Sequence, residues 1–306
     1  MWVELSLEVD PRDAELVADI VRQCCPNVAV EYRGPFALPE PWPAPAEASP
    51  ALRATSALVR IYLPADEADA RLRRSLRLAL RFAPLARPAR WRRARRLRDE
   101  DWQRAWQRRL RARRIGRLLV RPSWDTATAK AGEVAIEIEP GMAFGTGEHP
   151  TTALCLRALA ELVRGGESVL DLGTGSGILA IAAAKLGAAR VLALDIDPQA
   201  VRAARENARR NGVEGVIDVH QGTLTPGMTA RARYDLICAN IDGLTLERLA
   251  PLLARALGPG GRLVLSGFLS ESARALAEAF SALGLRPLAE LHEAPWAALV
   301  LEKADA

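Results

Sequence analysis

From about residue 120 onward, short apolar runs alternate with longer amphipathic stretches. The runs predict strands near 134–139, 168–172, 190–195, 216–219, 234–239, 261–267, 285–291 and 296–301, and the stretches predict helices near 151–164, 178–187, 198–211, 245–257 and 270–283. Short apolar runs bounded by turn residues read as buried strands. Strands alternating with helices imply a mostly parallel sheet covered on both faces, an α/β fold. Residues 1–97 read differently. Trp2 to Val9 alternates apolar and polar, Asp10-Pro11 can cap a helix running to about Cys24, and Val28 to Tyr32 is a second strand. Thr55 to Leu63 alternates again, a helix follows from Ala65 to about Arg81, and a weak strand lies near 84–97. Strand-helix-strand-strand-helix-strand is a ferredoxin-like α+β plan. The segment GPFALPEPWPAPAEASP (34–50) is a proline-rich loop with no helix or strand signal. Residues 99–114, DEDWQRAWQRRLRARR, read as a helix with acids at its start and arginines at its end, which suits the helix dipole. Trp102, Trp106 and Leu110 share one face of it, and Gly116 ends it. The chain is expected to divide into a small domain (1–97), a linker helix (98–119) and an α/β domain (120–306).

Candidate chemistry concentrates in two glycine-rich segments. In VLDLGTGSG (169–177), an apolar run leads into Gly173, Gly175 and Gly177, and a helix follows. A glycine turn between strand and helix is where a Rossmann-like sheet binds its nucleotide. Glycine reaches backbone angles barred to other residues and lets a ligand touch the main chain. The spacing D-x-G-x-G-x-G is not the dinucleotide fingerprint G-x-G-x-x-G. Asp171 precedes the glycines, where a carboxylate would repel a pyrophosphate and suit a ligand carrying an ammonium and a sulfonium. S-adenosyl-L-methionine is such a ligand. Asp195 ends the next strand, RVLALDIDP (190–198), where an acid can accept both ribose hydroxyls; NAD folds share this feature. YDLICANI (234–241) ends near Asn240, whose amide both donates and accepts and which should face the methyl-transfer end. The second segment, GMAFGTGEHPTT (141–152), lies one helix upstream and forms another wall of the same pocket. His149 within it reads as fixing the loop by hydrogen bonds rather than as a general base. The sequence NIDG at 240–243 departs from the N/D-P-P-Y of glutamine and adenine N-methyltransferases.

Composition changes the picture in three ways. The 306 residues carry a net +5 with 49% hydrophobic positions, enough for a real core and compatible with a polyanionic partner. Among 42 basic residues, only Lys130, Lys185 and Lys303 are lysine, as in a G+C-rich genome. Fourteen arginines between Arg87 and Arg117 form either a solvated face or a contact for ribosomal RNA or an acidic protein. Four cysteines without a C-x-x-C, and three histidines without metal spacing, fit a reducing cytoplasm and no metal centre. Neither a signal-peptide pattern nor an apolar run long enough to span a membrane occurs.

The chain resembles the PrmA-type methyltransferases, which modify the large-subunit ribosomal stalk-base protein L-eleven. The matching segments are DWQRAW (101–106), IGRLLVRPSW (115–124), PGMAFGTGEHPTT (140–152), LDLGTGSGILAIAAAKLGA (170–188), DIDPQAV (195–201), ENARRNGV (206–213) and NID (240–242). The resemblance implies a seven-stranded methyltransferase sheet and protein N-methylation with S-adenosyl-L-methionine, on lysine side chains and an N-terminal α-amine. It implies cofactor contacts at Thr152, Gly173, Gly175, Asp195 and Asn240, with Asn240 also catalytic. Phe144, Gly145 and Thr146 would cover the methionine moiety. The small domain would recognise substrate, and a monomer is expected. The family's N-I-L-A-x-x-L is here N-I-D-G-L-T-L, so Asp242 adds an acid beside the amine path and Gly243 adds flexibility. Two alternatives stay open: an N-methyltransferase for another protein or a small amine, and a non-catalytic ribosome- or RNA-binding protein on this scaffold.

Overall fold

The structure is a computed structural model. It describes residues 2–22, 24–25, 28–33, 56–64, 70–97, 110–139, 145, 147–231 and 233–304. The chain divides into two compact units, Met1–Arg109 and Leu110–Ala306.

In the first unit, β1 (Trp2–Val9), α1 (Ala14–Arg22), β2 (Val28–Arg33), β3 (Ser56–Pro64), α2 (Ala70–Phe82), β4 (Arg90–Trp91) and β5 (Arg95–Leu97) follow in order. The sheet order is β2–β3–β1–β4, with β5 also on β1, and every pairing is antiparallel. Alternate residues of β1 and β3, among them Leu5, Leu7, Val59 and Ile61, meet Val17 of α1 and Leu76 of α2 in one buried cluster. Asp10 accepts the Arg12 N–H at 3.1 Å and caps a short 3₁₀ turn that runs into α1. The expected strand near 84–97 is two short pieces. The proline-rich segment 34–50 lies outside the described residues, as do 98–109 with Trp102 and Trp106.

The second unit opens with β6 (Arg113–Ile115), β7 (Leu118–Pro122) and β8 (Val134–Ile138), a separate three-stranded sheet. This corrects the expectation that the helix over 99–114, within the linker 98–119, continues through 110–114. Ile115 and Leu118 pair across the turn Gly116-Arg117, with Gly116 at φ +55°. Ile115, Leu118 and Val120 are buried in the unit's core. Burial of that alternating set outweighs the helix preference of the arginines around it, since propensity yields to tertiary packing.

There follow α3 (Pro150–Leu162), β9 (Ser168–Leu172), α4 (Ile178–Lys185), β10 (Arg190–Asp195), α5 (Pro198–Arg210), β11 (Ile217–Gln221), α6 (Pro226–Arg231), β12 (Tyr234–Asn240), α7 (Gly243–Ala256), β13 (Leu257–Leu269), α8 (Ala273–Ser281), β14 (Leu285–Glu293) and β15 (Trp296–Lys303). The short α6 has no counterpart in the sequence reading. The seven-stranded sheet has the order β11–β10–β9–β12–β13–β15–β14. It is parallel except for β15, which runs antiparallel to both neighbours. Strand β9 is buried along its whole length, as a parallel strand covered on both faces should be. Val169 packs with Leu156 and Ile181 on one face; Leu170 and Leu172 pack with Leu246 and Leu253 on the other. The chain proceeds outward from β9 to β10 and β11, then returns to β12 on the other side of β9. That reversal is the switch point at which open α/β sheets bind ligands. Among the described residues, no helix is long and apolar enough to cross a membrane.

Candidate functional site

A cleft of about 340 Å³ opens over the carboxyl ends of β9, β10 and β12. Its floor is the turn from β9 to α4. Gly173, Gly175 and Gly177 have φ of +77°, +56° and +85°, angles that side chains rarely adopt. A side chain at Gly173 would collide with Ile241 beyond β12, and one at Gly177 would press on Ala204 of α5. The first glycine therefore admits the neighbouring strand exit, and the third admits a close helix pair.

Asp195, at the end of β10, lines the cleft. Its carboxylate accepts the Gly175 N–H at 2.8 Å and the Asp197 N–H at 3.0 Å. Both bonds fix its orientation, and the carboxylate keeps lone pairs for further donors. Asp197 caps α5 by accepting the Gln199 N–H at 2.8 Å, with Pro198 in the first turn.

Asp171, expected to face the ligand, is absent from the residues that line the cleft. It alternates with Leu170 and Leu172, so it points to the Val169 side and is fully buried. One oxygen accepts the Thr174 hydroxyl at 2.6 Å and the Ala180 N–H at 3.1 Å. The other oxygen has no hydrogen-bond partner among the described residues. Burial pushes its pKa up to about 6, against the pull of those two hydrogen bonds and with a smaller push from Asp195. Asp171 shapes the glycine turn from behind.

The upstream segment supplies the second wall through Gly145 and Thr152. The Ser176 hydroxyl donates to the Gly145 carbonyl at 2.5 Å, so the two glycine-rich segments are joined directly. Arg113 donates to the Gly147 and Glu148 carbonyls at 3.2 and 2.9 Å. His149 caps α3: its Nδ1 lies 2.7 Å from the Thr151 hydroxyl and accepts the Thr151 N–H at 3.3 Å. Its buried ring meets Trp296 edge-on at 5.0 Å. This supports the reading of His149 as a loop anchor. Phe144 and Thr146 lie outside the described residues.

Asn240 ends β12. The alternation that turns Leu236 and Cys238 toward α3 turns Asn240 the same way. Its amide donates to the Thr152 hydroxyl at a long 3.4 Å, and its buried Oδ1 has no hydrogen-bond partner among the described residues. Asp242 also lines the cleft and caps α7 by accepting the Thr245 N–H at 3.0 Å. Gly243, expected to add flexibility, is the first residue of that helix.

Two residues behind the cleft escaped the sequence reading as functional. Asn207 on α5 and Asn211 at its C-cap, one helical turn apart, bond the main chain at Glu139, just past β8, and at Glu137 within it, as a neighbouring strand would. Asn207 accepts the Glu139 N–H and donates to the Ser176 carbonyl, both at 2.9 Å. Asn211 accepts the Glu137 N–H at 2.9 Å and donates to the Glu137 carbonyl at 2.6 Å. Cleft residues at the other strand ends, Ile196, Gly222 and Thr223, were also missed, although position after a parallel strand is itself a signal.

The site fits S-adenosyl-L-methionine. Asp195 offers acceptors for two hydroxyls, Ile178, Leu179, Ile196 and Leu249 offer apolar contact, and the glycine turn exposes main chain. The unpartnered Asn240 Oδ1 awaits a donor at the opposite end. Among the described residues, no group of His, Cys, Asp or Glu could hold a metal ion.

Comparison with known proteins identifies the chain's relatives. A family model described as "Ribosomal protein L11 methyltransferase (PrmA)" matches residues 1–304. A ribosomal protein L11 methyltransferase of Pelotomaculum thermopropionicum is 43% identical over 313 residues, covering 97% of each chain. One of Chloroflexus aurantiacus is 40% identical over 324 residues, covering 98% of this chain and 97% of the relative. A crystal structure of a ribosomal protein L11 methylase from Lactobacillus delbrueckii subsp. bulgaricus is 30% identical, with a TM-score of 0.56 over 63% of this chain and 99% of that one.

Proposed function

The chain belongs to the ribosomal protein L11 methyltransferase family, and on that premise we propose that it transfers methyl groups from S-adenosyl-L-methionine to amines of ribosomal protein L11. The finer reading takes lysine ε-amines and the N-terminal α-amine as acceptors. The observation that carries it is the convergence of Gly173, Asp195, Thr152 and Asn240 on one cleft at the switch point of the sheet.

The cofactor supplies a methyl group on a sulfonium, already a good leaving group. The protein's task is to position the amine and keep it neutral. Asp195 would hold the ribose hydroxyls, Gly173 and Gly175 would let the main chain approach the ligand, and Gly145 and Thr152 would close the methionine side. A free lysine has a pKa of about 10.4, and an apolar wall lowers it by disfavouring the charged form. The Asn240 Oδ1, buried and unpartnered, accepts a hydrogen bond from the incoming neutral amine and aims its lone pair. Among the described residues, no side chain in the cleft is arranged as a dedicated base, so on this reading the amine's proton leaves to solvent before transfer.

The same reading assigns substrate recognition to a ferredoxin-like region at 1–97, linkage to 98–119 and chemistry to 120–306. It takes the protein as a cytoplasmic monomer, with ribosomal RNA contact through the arginine-rich 87–117. A second acceptor, another protein or a small amine, is favoured only by Asp242, a carboxylate in the cleft where the family has an apolar residue. Transfer of labelled methyl to purified ribosomal protein L11, with modified residues mapped by mass spectrometry, tests the reading. Label on lysines or the N-terminal amine supports it; cofactor binding without label on that protein overturns the acceptor assignment.

A further inference from the structure

The chain distributes its charge unevenly. Residues 70–97 contain eleven arginines and no lysine, aspartate or glutamate, a charge of +11, while the remainder of the chain sums to −6. A G+C-rich genome exchanges lysine for arginine throughout a chain; it does not strip acids from one segment.

The fold gathers these arginines. Helix α2 buries Leu76 and Leu80 in the core of its unit and exposes Arg74, Arg77 and Arg81 at helical spacing, a stripe roughly 10 Å long. The Arg77 guanidinium lies 5.6 Å from the centroid of the Trp91 ring, which joins the helix to edge strand β4. Trp91 stands opposite Leu7, and Arg96 opposite Val3. Residues opposed across an antiparallel pair share a face, so Trp91 and Arg96 lie on the side of the sheet that α2 covers. Arg92 pairs with Glu8 at 2.6 Å and Arg87 with Asp10 at 3.9 Å. Arg74, Arg77, Arg81 and Arg96 have no carboxylate partner among the described residues. At the end of α2, Phe82 is 79% exposed.

We propose that this face of α2 and β4–β5 binds the phosphate backbone of structured RNA. Guanidinium forks match phosphate oxygens bidentately, and an exposed aromatic ring offers a platform for an unpaired base. Leu76 and Leu80 are spent on the core, and among the described residues the exposed large apolar side chains of α2 are only Leu78 and Phe82, too narrow a stripe beside the arginines for a lipid surface. An RNA-based assembly is also the setting of the protein named as substrate of the relatives. The surface stands on the charge and packing of the first unit and is independent of the methyl-transfer cleft.

Fluorescence anisotropy of the full chain with a fluorescein-labelled RNA stem-loop, from about 50 to 200 mM salt, tests it. The triple variant Arg74→Gln, Arg81→Gln, Arg96→Gln should bind at least about tenfold more weakly, with the log–log salt slope shallower by about 2 to 3. Its thermal midpoint and its S-adenosylmethionine affinity by calorimetry should not change, which separates this outcome from failure of the cleft. Should the triple variant not fold, Arg74→Gln and Arg96→Gln separately should each reduce the slope by about 0.7 to 0.9. Unchanged RNA affinity in the variants overturns the proposal. So does polyglutamate that competes as well as unlabelled RNA, which would assign the face to an acidic protein.

Discussion

The two glycine-rich walls of the cleft are built in opposite ways. The turn at 173–177 sits between β9 and α4 and is braced by the nearby Asp171 through Thr174 and Ala180, with added bonds between Asp195 and Gly175 and between Asn207 and Ser176. The wall at 145–152 is held from elsewhere: by Ser176 from the turn and by Arg113 from β6. The first wall has a brace of its own close in sequence, whereas the bonds on the second come from 31 and 35 residues away. The local wall should therefore respond to substitution chiefly in its own residues, and the tethered wall in residues that touch no ligand.

The largest effect belongs to the local wall. Asp195→Ala removes the acceptor for two hydroxyls as well as for the Gly175 N–H. At about 1.5 kcal/mol for each hydrogen bond to a charged group, cofactor affinity should fall about a hundredfold. Calorimetry reads this directly, and unchanged affinity would remove Asp195 from the site.

Next comes the brace. The Asp171 carboxyl has a pKa of about 6 in the fold against an ordinary 3.8, so the folded state holds its proton more tightly than the unfolded state does. Its stabilising contribution is complete at low pH and is lost as pH rises from about 4 through about 6, an effect of about 3 kcal/mol. Asp171→Asn keeps the shape and removes the charge. Urea midpoints of wild type and variant should converge at acid pH, with the variant relatively more stable near neutrality. A stability difference that does not vary with pH contradicts this account of the carboxylate.

The tethers are compared within one helix. Asn207→Asp and Asn211→Asp each replace an amide donor by an acid facing a carbonyl, and each should lower thermal stability. Only Asn207 also reaches Ser176 in the turn. Its variant should bind cofactor about tenfold more weakly, while Asn211→Asp should stay within about twofold. Equal losses of affinity would mean that both act only through stability. The smallest effect is expected for His149→Gln, which loses a helix cap of about 1 kcal/mol and should keep its single-turnover rate once cofactor is saturating. A large fall in that rate at normal cofactor affinity would make His149 a participant in the chemistry.

The same contrast explains what could be read from the sequence. Gly173, Gly175 and Asp195 line one cleft and could be picked out from the sequence, because their positions follow from spacing along consecutive strand, turn, helix and strand. Nearness to the glycines suggests ligand contact for Asp171, while the period of two that pairs it with Val169 points it into the core, where it is fully buried. The first strand of the hairpin, 113–115, overlaps the expected helix over 99–114 because its arginines resemble a helix face, while the partner of β7, β8, begins only at Val134. Asn207 and Asn211 carry no signal of their own, since a side-chain amide that completes a strand edge is visible only when helix and strand are side by side. Asp242 read as a substrate determinant, and it is at least a helix cap as well.

The measurement closest to the central claim is single-turnover methyl transfer to ribosomal protein L11 by wild type and Asn240→Ala, with cofactor saturating. If the buried Oδ1 of Asn240 aims the acceptor amine, the variant should lose at least about a hundredfold in rate, the cost of about 3 kcal/mol of positioning, while the methylated positions stay the same. A wild-type rate in Asn240→Ala would contradict the assignment and move the methyl-transfer point away from the end of β12.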